Sequence, residues 1–199
     1  MIKGLCISLL CASLAAGCAT PKAVSPRAEL ETMFDADQRH RAALQEAAAK
    51  NASSPSPEFT EMVKKQQAID AANLTRLNEL IAAQGWPARS VVGDKAAMSA
   101  FLIVQHSDLT TQIKYLPMLR EAVAAGEARP EDLALLEDRV LVGEGKKQRY
   151  GSQLEPDGNG GWRFSAIEDE KNVDERRKSV GLPPIAEYAK QFGFEYKPQ

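Results

Sequence analysis

The chain has 199 residues, of which 44% are hydrophobic and 26% are charged. This length allows one domain with its own core, and it leaves little room for a second. The formal net charge is −2 and the sequence has no basic face, so we expect no nucleic-acid partner.

The N-terminus has the pattern of a secretory leader. A single basic residue, Lys3, precedes an apolar run over 5–16 that is too short to cross a bilayer as a helix. The run ends in Leu-Ala-Ala-Gly-Cys at 14–18, which resembles the lipobox of bacterial lipoproteins, although Ala15 stands where Leu is most common. We therefore expect cleavage before Cys18 and lipid attachment there. The alternative is a plain secretory leader cut nearby, with Cys18 left as a free thiol.

Cys18 and its neighbours also predict how the mature chain is held and where. The other two cysteines, Cys6 and Cys11, lie in the leader, so Cys18 has no partner for an intrachain disulfide. Three acyl chains on Cys18, each methylene contributing about 0.8 kcal/mol, would hold the protein stably on a membrane. Ala19 follows the cysteine instead of Asp. In a Gram-negative cell this favours the outer membrane, facing the periplasm.

We divide the chain into a signal peptide (1–17), a lipidated N-terminus and tether (18–27) and a single mainly helical domain (28–199). The Ser-Pro pairs at 25–26 and 56–57 each begin a helix, because Ser caps a helix and Pro fits its first turn. Gly-Trp-Pro at 85–87 ends the second helix. The five predicted helices run over about 26–50, 57–84, 94–104, 109–125 and 130–142.

The middle of the chain predicts a buried helix, and its end predicts a hairpin. The third predicted helix is apolar nearly all round over 100–104, so it should be the central one. Pro117 predicts a kink or a break in the fourth. Stretches over 148–154 and 162–167 flank Pro-Asp-Gly-Asn-Gly-Gly, which favours a small β-hairpin. Two short helices are predicted for the tail, over 173–180 and 185–192. The expected fold class is mainly α, with about five helices, a small C-terminal β-hairpin and short terminal helices.

Polar residues interrupt the apolar faces of the first two predicted helices. At 100° per residue, Gln66, Asp70 and Asn73 fall within the apolar arc of the second helix. Asp37 and Arg41 fall within the apolar stripe of the first. A buried charge without a partner costs several kcal/mol, so we expect these groups to find one another or to face a wet cavity.

The fifth predicted helix adds a further charge to this set. Arg139 projects from the middle of its apolar arc, whereas Asp138 points the opposite way, toward solvent. We predict one polar cluster, joined by His106 at the end of the third helix and built from Asp37, Arg41, Asp70 and Arg139. The favoured interpretation is a structural network that fixes the register of the helices. The other is a ligand-binding or catalytic pocket, because charged groups gathered in a cleft serve binding and acid–base chemistry.

A set of short motifs resembles a known family. The motifs are Asp37-Gln38 with Arg41, Asp70 with Asn73, Gly85-Trp86-Pro87, Gln105-His106, Asp138-Arg139, Gln148-Arg149-Tyr150-Gly151-Ser152-Gln153, and Arg176-Arg177 before Val180-Gly181-Leu182. Together they resemble the bacterial domain-of-unknown-function family six-six-two-four, over about residues 30–188. The most specific piece is the Gln-x-Tyr-Gly-Thr-Gln signature, here with Ser152 in place of Thr. The resemblance implies a shared fold and no reaction.

The resemblance also implies further candidate site residues. Gln148, Tyr150 and Gln153 would stand at the start of the hairpin, and Arg176 or Arg177 could approach the same cleft. Tyr150 and Gln153 can equally be residues that cap the helical core through hydrogen bonds, and the sequence leaves both interpretations open.

The residues available for chemistry are few. The mature chain offers two histidines, His40 and His106, and no spare cysteine, so we expect neither a metal site nor a cofactor. No Gly-x-Ser-x-Gly elbow is present for nucleophilic hydrolysis. We favour a non-enzymatic envelope lipoprotein that binds a protein or a small polar ligand. The alternative is a hydrolase in which Asp70 orients His106 as the general base, with Arg139 beside them.

Overall fold

The computed structural model describes residues 24–50 and 55–198. The leader, Cys18 and the tether before Val24 lie outside the described residues. The bundle consists of six helices: α1 (Pro26–Lys50), α2 (Pro57–Gln84), α3 (Arg89–Val92), α4 (Asp94–Gln105), α5 (Leu109–Ala124) and α6 (Pro130–Gly143). The C-terminal lobe, residues 148–198, holds β1 (Leu154–Pro156), β2 (Trp162–Phe164), a 3-10 turn (Glu170–Asn172), α7 (Val173–Ser179) and α8 (Ile185–Lys190).

Helix α4 lies at the centre of the bundle and packs against α1, α2, α3, α5 and α6. Its buried face carries two alanines, Ala96 and Ala100, together with Phe101 and Val104. Small side chains let neighbouring helices approach closely, and the two large ones fill the remaining space. The prediction of a central buried helix is confirmed.

The local signals that begin and end the helices work as the sequence predicts. Ser56 Oγ accepts the backbone N–H of Phe59 at 3.1 Å, and α2 begins at Pro57. At the other end of α2, Gly85 adopts a φ of +78°, a conformation that favours glycine. The break considered at Pro117 does not occur. Helix α5 continues through this residue, which lies on the exposed side where water can satisfy the carbonyl left without a partner.

The C-terminal lobe has a small core of its own. Strands β1 and β2 pair antiparallel with Leu154 opposite Phe164, which confirms the predicted hairpin. Phe164 is buried with Val173, Ile185 and Ala189. Aromatic rings surround it: Tyr188, Phe194 and Tyr196 have ring centroids within 6.2 Å of that of Phe164. The fold is mainly α with a small β-hairpin, as predicted.

The bundle and the lobe meet through a short segment of chain. Within the described residues, the helices and strands of the lobe pack against one another and not against a bundle helix. The contact instead runs between α6 and residues 148–153, which we call the signature segment. Helix α3, which the sequence did not predict, is a single turn. Among the described helices, none is both long and apolar enough to cross a membrane.

Candidate functional site

Two aspartates and one arginine join α1 to α2. Arg41 Nε donates to both carboxylate oxygens of Asp37 at 3.0 Å, and Arg41 Nη2 donates to Asp70 Oδ1 at 2.5 Å. The Gln66 amide donates to Asp37 at 2.7 Å and to Asp70 at 2.9 Å. These four residues form the aspartate–arginine cluster. The structure therefore brings Asp37, Arg41 and Asp70 together, and it adds Gln66, one of the three polar residues that interrupt the apolar face of α2.

The aspartate–arginine cluster is largely satisfied internally. Asp37 is buried, and Asp70 is partly exposed. Burial raises the pKa of Asp70, while the Gln66 amide and the Arg41 guanidinium oppose that rise. His40 Nδ1 lies 2.8 Å from Gln66 Oε1, an acceptor, and extends the network. Asn73 lies partly exposed on α2 and makes no side-chain hydrogen bond to the described residues.

His106 follows the last residue of α4 and is partly buried. Burial, helped by the positive charges of Arg41 and Arg139 and opposed by Asp37, lowers the pKa of its imidazole to about 4. The ring is therefore neutral at pH 7. Within the described residues, no hydrogen bond joins it to Asp70, whose carboxylate is held by Arg41 and Gln66.

Arg139 does not complete the charge balance in the predicted way. Its Nη1 donates to the backbone carbonyl of Gln105 at 2.8 Å, and its Nε donates to Gln153 Oε1 at 3.2 Å. No carboxylate of the described residues lies within ion-pair distance of it. Arg139 therefore joins the predicted polar cluster without an ion pair to Asp37 or Asp70, because Arg41 already holds both carboxylates. Arg139 instead meets the C-terminal end of α4, where carbonyl groups lack helical partners.

Asp138 also differs from the prediction, because it is fully buried instead of facing solvent. Its carboxylate accepts the backbone N–H groups of Arg149 at 2.7 Å, Tyr150 at 3.0 Å and Ser152 at 3.0 Å. The signature segment returns across the side of α6 that a helical projection assigns to water. Burial raises the pKa of Asp138, while the three backbone donors oppose the rise.

The signature segment is folded around the buried Gln148 amide. Gln148 Nε2 donates to the carbonyls of Ser165 at 2.7 Å and Gln153 at 3.0 Å, and its Oε1 accepts the N–H of Gln153 at 2.8 Å. Gly151 has a φ of +66°, and a Cβ there would lie 2.6 Å from Ile185 Cδ1. Only glycine fits that position.

Tyr150, Gln153 and the two arginines hold this segment in place. The Tyr150 ring is buried, and burial raises the pKa of its phenol. Gln153 links Arg139 to the hydroxyl of Ser152. Arg176 Nε donates to the carbonyl of Arg149 at 2.7 Å. These contacts favour the structural interpretation of Tyr150 and Gln153.

Arg177 is the buried member of the arginine pair. It is fully buried, and its Nη1 donates to the carbonyl of Tyr150 at 2.7 Å and its Nε to that of Pro183 at 2.5 Å. Its guanidinium also lies 4.8 Å from the centroid of the Tyr188 ring. The adjacent arginines in the sequence are a signal for this contact, but they do not show which of the two turns inward.

The comparison with known proteins identifies the family. The model described as "Family of unknown function (DUF6624)" matches residues 25–197. The chain belongs to this family. Neither the curated proteins nor the solved structures contain a match. The DUF6624 match spans both the bundle and the lobe, and it confirms the family resemblance drawn from the motifs.

The charged residues of the cluster and of the joint with the lobe are unevenly paired in this DUF6624 protein. They include three aspartates (Asp37, Asp70, Asp138) and three arginines (Arg41, Arg139, Arg177), all buried or partly buried. Two aspartates share one arginine, and the third binds backbone N–H groups. Within the described residues, no group of three or more His, Cys, Asp or Glu is placed to hold a metal ion. Arg139 is partly exposed and has no carboxylate partner among the residues that the structure describes, so it is well placed to bind a ligand.

Proposed function

We propose that this protein is a lipid-anchored envelope protein whose helical domain binds, without catalysis, a polar ligand that carries an acidic group beside Arg139. Lipid anchoring is supported by the Leu-Ala-Ala-Gly-Cys sequence at 14–18 and by the short apolar leader before it. The ligand-binding part depends on the environment of Arg139.

The observation that carries the binding proposal is an available guanidinium donor. Arg139 Nε and Nη1 are fixed by Gln153 and Gln105. Its Nη2 has no hydrogen-bond partner among the described residues, and it is not one of the polar atoms that are buried away from water. A guanidinium held by two of its nitrogens presents the third in a fixed direction, and a carboxylate or phosphate oxygen is its natural acceptor. The nearby His106 is neutral at pH 7 and can add a hydrogen bond to the same ligand.

Hydrolysis is less well supported than binding. An imidazole whose pKa is about 4 is a weak general base at neutral pH. Asp70, the carboxylate expected to orient it, binds Arg41 and Gln66 instead. The positive charges beside His106 disfavour the imidazolium that a general base must form.

The binding proposal is tested by NMR on the mature chain with Cys18→Ser, using sodium succinate and inorganic phosphate as probes. We expect the Arg139 Nε–H signal and the Gln153 side-chain amide signals to shift saturably with at least one probe. Arg139→Lys should abolish the shifts, because an ammonium group cannot keep both fixed contacts and a free donor. Arg163, exposed and paired with Glu155, is the matched control, and Arg163→Lys should leave the titration unchanged. Equal shifts at both arginines, or none with either probe, would contradict the proposal.

The anchoring proposal is tested by mass spectrometry of the N-terminal peptide of the protein purified from its native membranes. The expected peptide begins at Cys18 and carries a diacylglycerol thioether and an amide-linked acyl chain. Cys18→Ser should remain unprocessed and lack lipid. An unacylated N-terminal cysteine in the wild-type protein would refute anchoring and leave the binding result unaffected.

A further inference from the structure

One end of the bundle is apolar where the N-terminus of α1 meets α3. A small cavity there is lined by Pro26, Leu30, Leu80, Trp86 and Val91. Two large apolar side chains stand exposed beside it, Val24 at 68% and Val91 at 76% of their full surface. Helices α1 and α3 pack against each other, so both valines belong to the same end of the molecule. We call it the α1–α3 end.

Covalent geometry limits how far this end can be from the lipid attachment site. Six residue steps separate Cys18 from Val24. A fully extended chain spans at most about 3.6 Å per residue, so this connection reaches about 20 Å whatever its conformation. That is shorter than the diameter of a typical small domain, about 30 Å. If Cys18 is anchored, Val24 therefore lies within about 20 Å of the membrane, and the α1–α3 end is the end of the bundle held nearest to it.

The charged side chains around this end bind ionic or neutral partners within the protein. Arg27 binds Glu31 at 2.9 Å, and Arg89 binds Asp94 at 2.5 Å. Glu127 accepts the hydroxyl and backbone N–H of Ser90. A rim with two arginines and three acidic side chains, all of them bound within the protein, has little attraction for anionic headgroups, whereas exposed valines gain from leaving water. The chemistry of this surface therefore fits an apolar contact with lipid and does not require anionic lipid.

We infer that the α1–α3 end rests on the bilayer to which Cys18 anchors the chain, with Val24 and Val91 at the boundary between headgroups and acyl chains. This inference rests on the proposed anchoring. It assigns an orientation as well: the end of the bundle that carries Val91 faces the lipid. Ile113, exposed at 42%, lies near the N-terminal end of α5, whereas the opposite end of α5 leads to Glu127 beside α3.

The test places the mature chain on vesicles through its only cysteine. Cys18 is coupled to a maleimide lipid in phosphatidylcholine vesicles, and tryptophan fluorescence is quenched by brominated acyl chains. Val91→Trp is the reporter, and Ile113→Trp is the matched control, since both replace an exposed β-branched residue. Trp86 and Trp162 are common to both proteins, so the difference between them reports the new residue. Quenching should be at least twofold greater for Val91→Trp than for Ile113→Trp, and it should not change in 0.5 M NaCl.

Equal quenching in the two variants would overturn the inference, and so would quenching of Val91→Trp that disappears in salt. Hydrogen exchange of the wild-type protein is a second measurement that needs no substitution. Amides of 89–93 should exchange several-fold more slowly on vesicles than in solution, and those of 109–117 should not change. Because the anchor here is chemical, these results do not depend on cellular acylation. An unacylated Cys18 in native membranes would refute the proposed anchoring without altering the vesicle result.

Discussion

The lowered pKa of His106 makes the stability of the folded protein depend on pH. Its pKa is about 4 in the folded protein, below the usual value of 6.5, because of burial and the charges of Arg41 and Arg139. Between these two values the unfolded chain binds more protons than the folded one, so stability falls as the pH falls from about 6.5 to 4.

Replacing this histidine should remove that dependence. Between pH 7 and pH 4.5, the free energy of unfolding should fall by about 2 to 3 kcal/mol less in His106→Gln than in the wild type. Urea denaturation at the two pH values, in the Cys18→Ser background, measures the difference. His40→Gln is the control, since it replaces the other histidine of the mature chain. Identical losses in wild type and His106→Gln would contradict this account of His106.

Asp132 should act in the opposite direction. It is buried in the first turn of α6, and burial raises its pKa to about 6, against the charge of Arg129. Here the folded state binds more protons between pH 3.8 and pH 6, so stability falls as the pH rises through this interval. We expect Asp132→Asn to be more stable than wild type by about 2 to 3 kcal/mol at pH 8 and equal to it at pH 3.5. A variant that is less stable at pH 8 would show that the carboxylate is needed in its charged form.

Among the secondary-structure elements, those with a strong local signal could be predicted from the sequence. Ser-Pro pairs, a terminal glycine and long apolar periodicity gave the bounds of α1, α2, α4, α5 and α6 within about two residues. Helix α3 was missed, because four residues are too few to show a helical period. It is stabilised by a distant contact: the Arg89 N–H donates to the carbonyl of Glu127.

The candidate site was predictable where its members share helix faces. Asp37, Arg41 and Asp70 interrupt apolar faces, and such residues must find partners close at hand. The partners of Arg139 were not predictable, since they are a carbonyl at the end of α4 and an amide 14 residues along the chain. The burial of Asp138 was missed for a related reason. A helical projection cannot show that a later segment will cover the polar side of the helix.

At the scale of the whole molecule, the described part of the chain consists of two apolar cores with a polar joint between them. One core fills the bundle and the other fills the lobe around Phe164. The joint is made by Asp138 and Arg139 on one side and by the signature segment on the other. Apolar contacts tolerate small shifts, whereas three hydrogen bonds to one carboxylate fix a single arrangement. The residues of the signature segment therefore set the position of the lobe.

Asp138→Asn tests whether the joint is a separate point of weakness. An amide keeps one acceptor oxygen and turns an NH2 group toward backbone donors, so we expect a loss of about 2 to 4 kcal/mol. Asp35→Asn, which removes an exposed pair with Lys95, is the control and should cost less than about 1 kcal/mol. Hydrogen exchange should show faster exchange at 148–153 and in the lobe, with α4 still protected, because each unit retains its own core. If α4 exchanges as fast as the lobe in Asp138→Asn, the bundle depends on the joint and the two cores unfold as one unit.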